Sequence, residues 1–169
     1  DTAQDEINYS LLYRHVMPVL WAAFANFSRK KPADFRKFCA RHKAWLNDYA
    51  LFMAIKTQND GKPWYEWEPD LALCKKDAVA DAKKIFAMEI EFYCFVQYCF
   101  FSQWEALKSY ANRKGVRIIG DIPIYVAADS ADTWSHPELF QLDDRLVPVA
   151  VAGCPPDAFS ETGQLCGNP

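Results

Sequence analysis

Val116-Arg117-Ile118-Ile119-Gly120-Asp121-Ile122-Pro123-Ile124-Tyr125-Val126 is the stretch whose reading decides the fold. It follows Asn112-Arg113-Lys114-Gly115, basic residues and then a glycine. That order ends a helix: cations suit the negative end of the helix dipole, and glycine takes the left-handed turn beyond it. The aliphatic run after the glycine predicts a short strand over 116–121. Helix, glycine, apolar strand and acid make the second half of a β/α unit. Parallel sheets carry function at the C-terminal ends of their strands, and Asp121 stands at such an end. The fold class expected is therefore α/β.

Downstream, the chain is rich in glycine, proline and acid. Asp132 to Phe140 predicts a short helix or turn broken near Pro137, and Val147 to Val151 a brief extended segment. Asp129 and Asp132 form either a carboxylate pair or, more ordinarily, a helix cap. His136 precedes Pro137 with no nucleophile at a recognisable spacing, so it reads as a turn histidine; His15 and His42 sit in helical stretches. Gly153-Cys154-Pro155-Pro156-Asp157-Ala158-Phe159-Ser160-Glu161-Thr162-Gly163-Gln164 reads as a polar loop. Its two prolines stiffen one end, and Gly163 permits an unusual backbone at the other.

Upstream, Lys76 to Lys114 carries a long helical pattern. Ile85, Met88, Phe92, Val96, Cys99, Gln103 and Leu107 trace one face, and Phe86, Tyr93, Phe100 and Trp104 widen it. A helix apolar nearly all round is expected between layers. Its apolar stretch from Phe92 to Phe101 falls well short of the roughly 20 residues that span a bilayer. Two more helices are predicted, over Tyr9–Phe27 and Ala33–Ile55. Leu12, Val16, Leu20 and Phe24 line the first, with Pro18 set to kink or divide it. Asn59-Asp60-Gly61-Lys62-Pro63 is a turn. After it, Trp64-Tyr65-Glu66-Trp67 either offers flat rings to a ligand or pins a loop to the core.

Half of the 169 residues (51%) are hydrophobic, enough for a core in one domain or a large piece of one. The net charge of −3 argues against nucleic acid, which calls for a basic face. Arg29-Lys30-Lys31 reads as a solvated loop. Six cysteines, Cys39, Cys74, Cys94, Cys99, Cys154 and Cys166, show neither a C-x-x-C pair nor zinc spacing, so they read as reduced thiols in a reducing compartment. The acidic start, Asp1 to Glu6, does not open a secretory signal.

Three groups of motifs resemble the 4-alpha-glucanotransferases (amylomaltase, or disproportionating enzyme). The first is Gly120-Asp121-Ile122-Pro123-Ile124-Tyr125-Val126-Ala127 with Asp129-Ser130-Ala131-Asp132-x-Trp134 and His136-Pro137-Glu138-Leu139-Phe140. The second is Val151-Ala152-Gly153-x-Pro155-Pro156-Asp157-x-Phe159-Ser160-x-Thr162-Gly163-Gln164-Leu165-x-Gly167-Asn168-Pro169. The third, upstream, runs through Trp45-Leu46-x-Asp48-Tyr49-Ala50-Leu51-Phe52-Met53-Ala54, Pro63-Trp64-x-Glu66-Trp67 and Phe100-Phe101-x-Gln103-Trp104.

The resemblance implies a helix-rich fragment of a (β/α)8 TIM barrel with helical insertions. Residues 1–75 would be mainly insertion, and 76–169 would hold a barrel helix, a barrel strand and a substrate-binding loop. It implies transfer of α-1,4-glucan segments to the 4-hydroxyl of another sugar by a retaining double displacement, with no metal or organic cofactor. In that family an Asp nucleophile, a Glu acid/base and a further Asp follow the Gly-Asn-Pro motif. No catalytic residue is therefore assigned here, those acids are expected beyond Pro169, and this stretch alone is expected to be inactive.

The substrate-binding residues implied are Asp121, Asp157, Phe159, Ser160, Gln164 and Asn168, and the partners are α-1,4-glucans and maltooligosaccharides. Localisation is expected to be cytoplasmic, or plastidial. Two positions depart from the family pattern: Ala158 replaces an aromatic, and Cys166 replaces a Trp. Two other readings compete. One is a carbohydrate-binding module that uses Trp64, Trp67 and the 153–164 loop. The other is a helical protein whose aromatic face from Ile85 to Tyr110 docks a partner.

Overall fold

The computed structural model describes residues 7–169. The acidic start that bears on a secretory signal lies outside the described residues. Helix α1 spans Tyr9–Phe27 and α2 spans Ala33–Gln58. Asn8 caps α1, its Oδ1 accepting from Leu11 N–H at 3.0 Å. The helix continues through Pro18 instead of ending there. Beyond Pro18, Leu20, Trp21, Phe24 and Phe27 pack inward. Leu12 and Val16, expected on the same stripe, are exposed, because α5 meets only the later part of α1. Asn59, Asp60 and Gly61 close α2, the last two at φ 55° and 76°.

Short helix α3 (Pro69–Ala72) leads to α4 (Lys76–Ile85) and α5 (Ala87–Arg113). The single long helix expected over this region is two helices, bent by 79° at Phe86. The bend has a packing cause. Phe86 lies against both hydrophobic cores, α4 turns Ala82 and Val79 toward one, and α5 sends Phe92 to Phe95 into the other. Ile85 and Met88, read as part of the buried face, are consequently exposed. No single helix among the described residues is long and apolar enough to cross a membrane. Helix α5 ends as its sequence suggests. Gly115 has φ 78°, and Val116 N–H reaches Ala111 O at 3.0 Å.

The first core joins α1, α2 from Phe35 to Ala54, and α5. Trp21 stacks on Phe92 with centroids 3.8 Å apart, and Phe24, Phe27, Phe35 and Phe95 surround them. The second core joins the later half of α2 to Trp64, Trp67, Ala72, Ala82 and Trp134. Each core draws residues from both sides of residue 75. Trp64 and Trp67 are buried and spend their indole N–H groups on Ala128 O (2.7 Å) and Lys62 O (3.0 Å). They pin a loop to the core and offer no free ring face, which removes the binding-module reading built on them.

The strand expected over 116–121 forms no β ladder; Ile119, Ile122 and Ile124 are 93%, 81% and 86% exposed. A strand is made by its neighbours' hydrogen bonds, and none of the described residues supplies them. Farther on come α6 (Ala131–Ser135), a 3-10 turn over Pro137–Leu139, and an isolated bridge from Leu142 to Pro148; of the extended segment expected over Val147 to Val151, Pro148 alone is paired, and the chain bends at Val149 and Ala150. Ser130, not Asp129 or Asp132, caps α6: its Oγ accepts from Thr133 N–H at 3.2 Å. A two-stranded antiparallel ladder, β1 (Gly153–Cys154) with β2 (Gln164–Leu165), appears where only loop was expected. The described chain is therefore helix-rich with few strands.

All six cysteines are free. Burial, with Cys39 beside it, pushes the Cys94 thiol up to about 12, whereas Cys154 and Cys166 lie exposed in the hairpin. Only the thiolate alkylates, so burial keeps Cys94 largely unreactive at pH 8, and its reactivity rises with pH. Iodoacetamide at pH 8 should therefore label Cys154 and Cys166 rapidly and spare Cys94. Mass spectrometry showing equal labelling of all three would mean that the α2–α5 seam is open.

Candidate functional site: the 126–129 segment and the loop hairpin

The polar loop folds as a hairpin built by its own side chains. Asp157 Oδ1 accepts from Phe159 N–H and Ser160 N–H, both at 2.8 Å, and Ser160 Oγ donates to Gly163 O at 2.7 Å. These bonds turn the chain so that β1 and β2 pair, Gly153 opposite Leu165 and Cys154 opposite Gln164. Gly163 has φ 73° and fits against the opposite strand's backbone; a Cβ there would lie 2.4 Å from Cys154 O. At the open end, Gly167 (φ 73°) and Asn168 oppose Ala152. Gly167 N–H donates to Ala152 O (3.3 Å) and Ala152 N–H to Asn168 O (2.9 Å). That is a bulge with glycine in the left-handed position, which increases twist and re-aims the neighbouring side chains.

Among the described residues, one hydrogen bond ties the hairpin to another segment. Asn168 Nδ2 donates to Val126 O at 2.8 Å. The next two carbonyls are also taken by side chains, Ala127 O by Thr133 Oγ1 (2.9 Å) and Ala128 O by Trp64 Nε1 (2.7 Å). Asp129 then pairs with Lys56 of α2. Sequence reasoning missed this clasp because its members lie as far as 73 residues apart. The visible signal was Gly167-Asn168, a pair suited to a bulge.

The expected site residues divide. Asp157, Ser160, Gln164 and Asn168 come together on the hairpin, with Phe159 at its tip and 95% exposed. Asp121 is exposed, its Oδ1 accepting from Ile122 N–H at 2.8 Å. No hydrogen bond among the described residues joins it to the hairpin. Several of these side chains already spend part of their bonding capacity on the loop. Asp157 Oδ1, the Ser160 hydroxyl and the Asn168 amide N–H are engaged, which leaves Asp157 Oδ2, the Gln164 amide and the Phe159 ring to face outward. His136 Nδ1 lies 3.3 Å from Glu138 Oε1 and touches no nucleophile among the described residues.

A family model described as 4-alpha-glucanotransferase, of glycoside hydrolase family 77, matches residues 1–169. This chain belongs to the 4-alpha-glucanotransferase family. A 4-alpha-glucanotransferase of Clostridium butyricum is 48% identical over 98% of the chain, and one of Thermus thermophilus is also 48% identical over 98%. The chain spans about a third of the length of the curated relatives it matches, 34% in both cases. The solved structure of an amylomaltase from Streptococcus agalactiae in complex with acarbose superposes with a TM-score of 0.90 at 42% identity. That match covers 96% of this chain and 33% of the amylomaltase. The family's fold thus extends over nearly all of these residues.

Proposed function

We propose that these residues form the acceptor-side wall of a (β/α)8 barrel 4-alpha-glucanotransferase, acting on α-1,4-glucans and maltooligosaccharides. In this reading residues 1–75 are mainly helical insertion, and 76–169 hold a barrel helix, the barrel strand headed by Asp121, and the substrate loop. The observation that carries the reading is the hairpin. A proline-stiffened loop presents Phe159, Gln164 and a free carboxylate oxygen of Asp157, while its remaining polar groups are committed to holding that shape. Apolar ring faces beside hydrogen-bonding groups suit a sugar, whose CH faces stack and whose hydroxyls bond. Asp121 would orient a polar group of a neighbouring barrel strand. The bare isoleucines at 119, 122 and 124 are the faces that neighbouring strands and helices of a barrel would cover. The retaining reaction needs two carboxyls about 5 Å apart across the scissile bond. We assign those acids to other residues of the enzyme, after the Gly-Asn-Pro motif. Reduced thiols suit a reducing compartment, the bacterial cytoplasm or a plastid.

A protein of the relatives' length that carries these residues should convert maltotriose into glucose and longer maltooligosaccharides. Hydrolysis alone, or no reaction, would defeat the proposal. New oligosaccharides made by residues 1–169 on their own would overturn the placement of the catalytic acids. In the longer protein, Cys166→Trp adds a ring beside the acceptor path and should lower the acceptor's KM by roughly tenfold, on the scale of ring stacking. An unchanged KM would remove position 166 from the acceptor path.

A further inference from the structure

Val126 to Asp129 is an irregular segment in which each of four consecutive residues is gripped by a side chain from outside it. Asn168 Nδ2 holds Val126 O, Thr133 Oγ1 holds Ala127 O, Trp64 Nε1 holds Ala128 O, and Lys56 Nζ holds the Asp129 carboxylate. Three of the grips come from the helical body: Lys56 on α2, Trp64 in the turn after it, and Thr133 on α6. The fourth comes from the hairpin, and among the described residues it is the one hydrogen bond joining the hairpin to another segment.

The Lys56–Asp129 pair differs from a solvated surface bridge. The side chains are 21% and 33% exposed, and Lys56 Nζ lies 5.7 Å from the Phe52 ring centroid. Asp129 Oδ1 is buried without a hydrogen-bond partner. A carboxylate so placed is tolerated because one cation neutralises it, and removing that cation leaves a partly desolvated charge with nowhere to bond. The segment then gains by moving Asp129 toward water. Such a movement pulls on Val126 and, through Asn168, on the base of the hairpin.

We propose that Lys56 and Asp129 are positioning residues for the hairpin: their ion pair sets Val126, and Val126 sets the acceptor-facing loop through Asn168. Helix α2 thereby controls a loop to which no hydrogen bond among the described residues joins it directly. The coupling stands on the contacts described here; its consequence for catalysis rests on the glucan-transfer reading above.

Amide hydrogen exchange on this chain tests the coupling. Lys56→Met should speed exchange at the Ala152 and Cys166 amides by more than about tenfold while the amides of Phe92 to Phe95 keep their rates; such selective opening marks a local unit and not global unfolding. Lys56→Arg should restore the original rates. Asp129→Asn, which keeps the side chain's size, gives the same readout should Lys56→Met fail to fold. Asn168→Ala should free the two hairpin amides by itself, and adding Asp129→Asn should then change them no further. A response confined to residues 127–133, a uniform rise at all amides, or additive effects would each overturn the proposal.

In a protein of the relatives' length, Asp129→Asn should raise the acceptor's KM by about tenfold with kcat held within about twofold, the signature of a displaced binding wall. A fall in kcat with KM unchanged would overturn the positioning role. If the parent protein itself shows no transfer, the functional reading fails, and the exchange result alone decides the coupling.

Discussion

Trp134→Ala should cost the chain about 3–5 kcal/mol, the usual range for deleting a large buried aromatic. Trp134 is 1% exposed at the centre of the second core. Its ring meets Trp67 edge-on at 5.7 Å and Phe52 at 6.0 Å, and its indole N–H donates to Leu71 O at 2.8 Å. The substitution opens a cavity and removes the indole donor from the Leu71 carbonyl, which keeps its bond from Cys74 N–H at 3.0 Å. Domains have only about 5–15 kcal/mol in hand, so a urea titration should find the midpoint sharply lowered or the transition gone. Phe100→Ala is the contrast. Phe100 is also a large aromatic, but 57% exposed on α5, and the unfolding free energy from the same titration should change by about 0.5 kcal/mol or less. Equal shifts in the two variants would contradict a core centred on Trp134.

Gly163→Ala should abolish the hairpin while hardly touching global stability. The residue sits at φ 73°, where a side chain costs about 1–2 kcal/mol before any collision. The added Cβ would then meet Cys154 O at 2.4 Å, Pro155 C at 3.0 Å and Pro156 N at 3.1 Å. All three are backbone atoms, so no rotamer change relieves the contact, and the two prolines fix their own φ angles. The strands must part. The exchange protection of Cys166 and Ala152 should vanish, while the urea midpoint stays near its original value because β1 and β2 bury almost nothing. In a protein of the relatives' length, acceptor use should fall by about a hundredfold, the scale on which angstrom-sized misplacement acts. Gly120→Ala, with nothing within 4 Å of its would-be Cβ, should leave the hairpin amides unchanged. Retained hairpin protection in Gly163→Ala would show that the loop does not need this backbone shape.

The helices were legible because local rules govern them. Tyr9 to Phe27 matched its element end to end, and Gly115 terminated α5 as helix-end chemistry requires. The bend at Phe86 was not legible. The periodicity of Ile85, Met88 and Phe92 continues smoothly across it, and what breaks the helix is the demand of two separate cores. The strand at 116–121 was read from composition, but strand state depends on hydrogen-bonded neighbours, and none of the described residues pairs with it. Trp64 and Trp67 illustrate the reverse case. Their spacing suited a sugar platform as well as a core, and burial of both rings decided it. For the site, Gly163 and the prolines were readable as rigid loop chemistry. The Lys56–Asp129 pair and the grip of Asn168 on Val126 were not, since no periodicity links side chains brought together by the whole fold.

The run from Arg117 to Tyr125 carries bare isoleucines and backbone amides with no ladder partner among the described residues. Such a ribbon has one ready complement in a concentrated solution, the same ribbon of another molecule. Residues 1–169 prepared alone should therefore self-associate as concentration rises, and light scattering should trace it to this stretch. Ile119→Lys, placed on the most exposed of those side chains, should keep the protein dispersed.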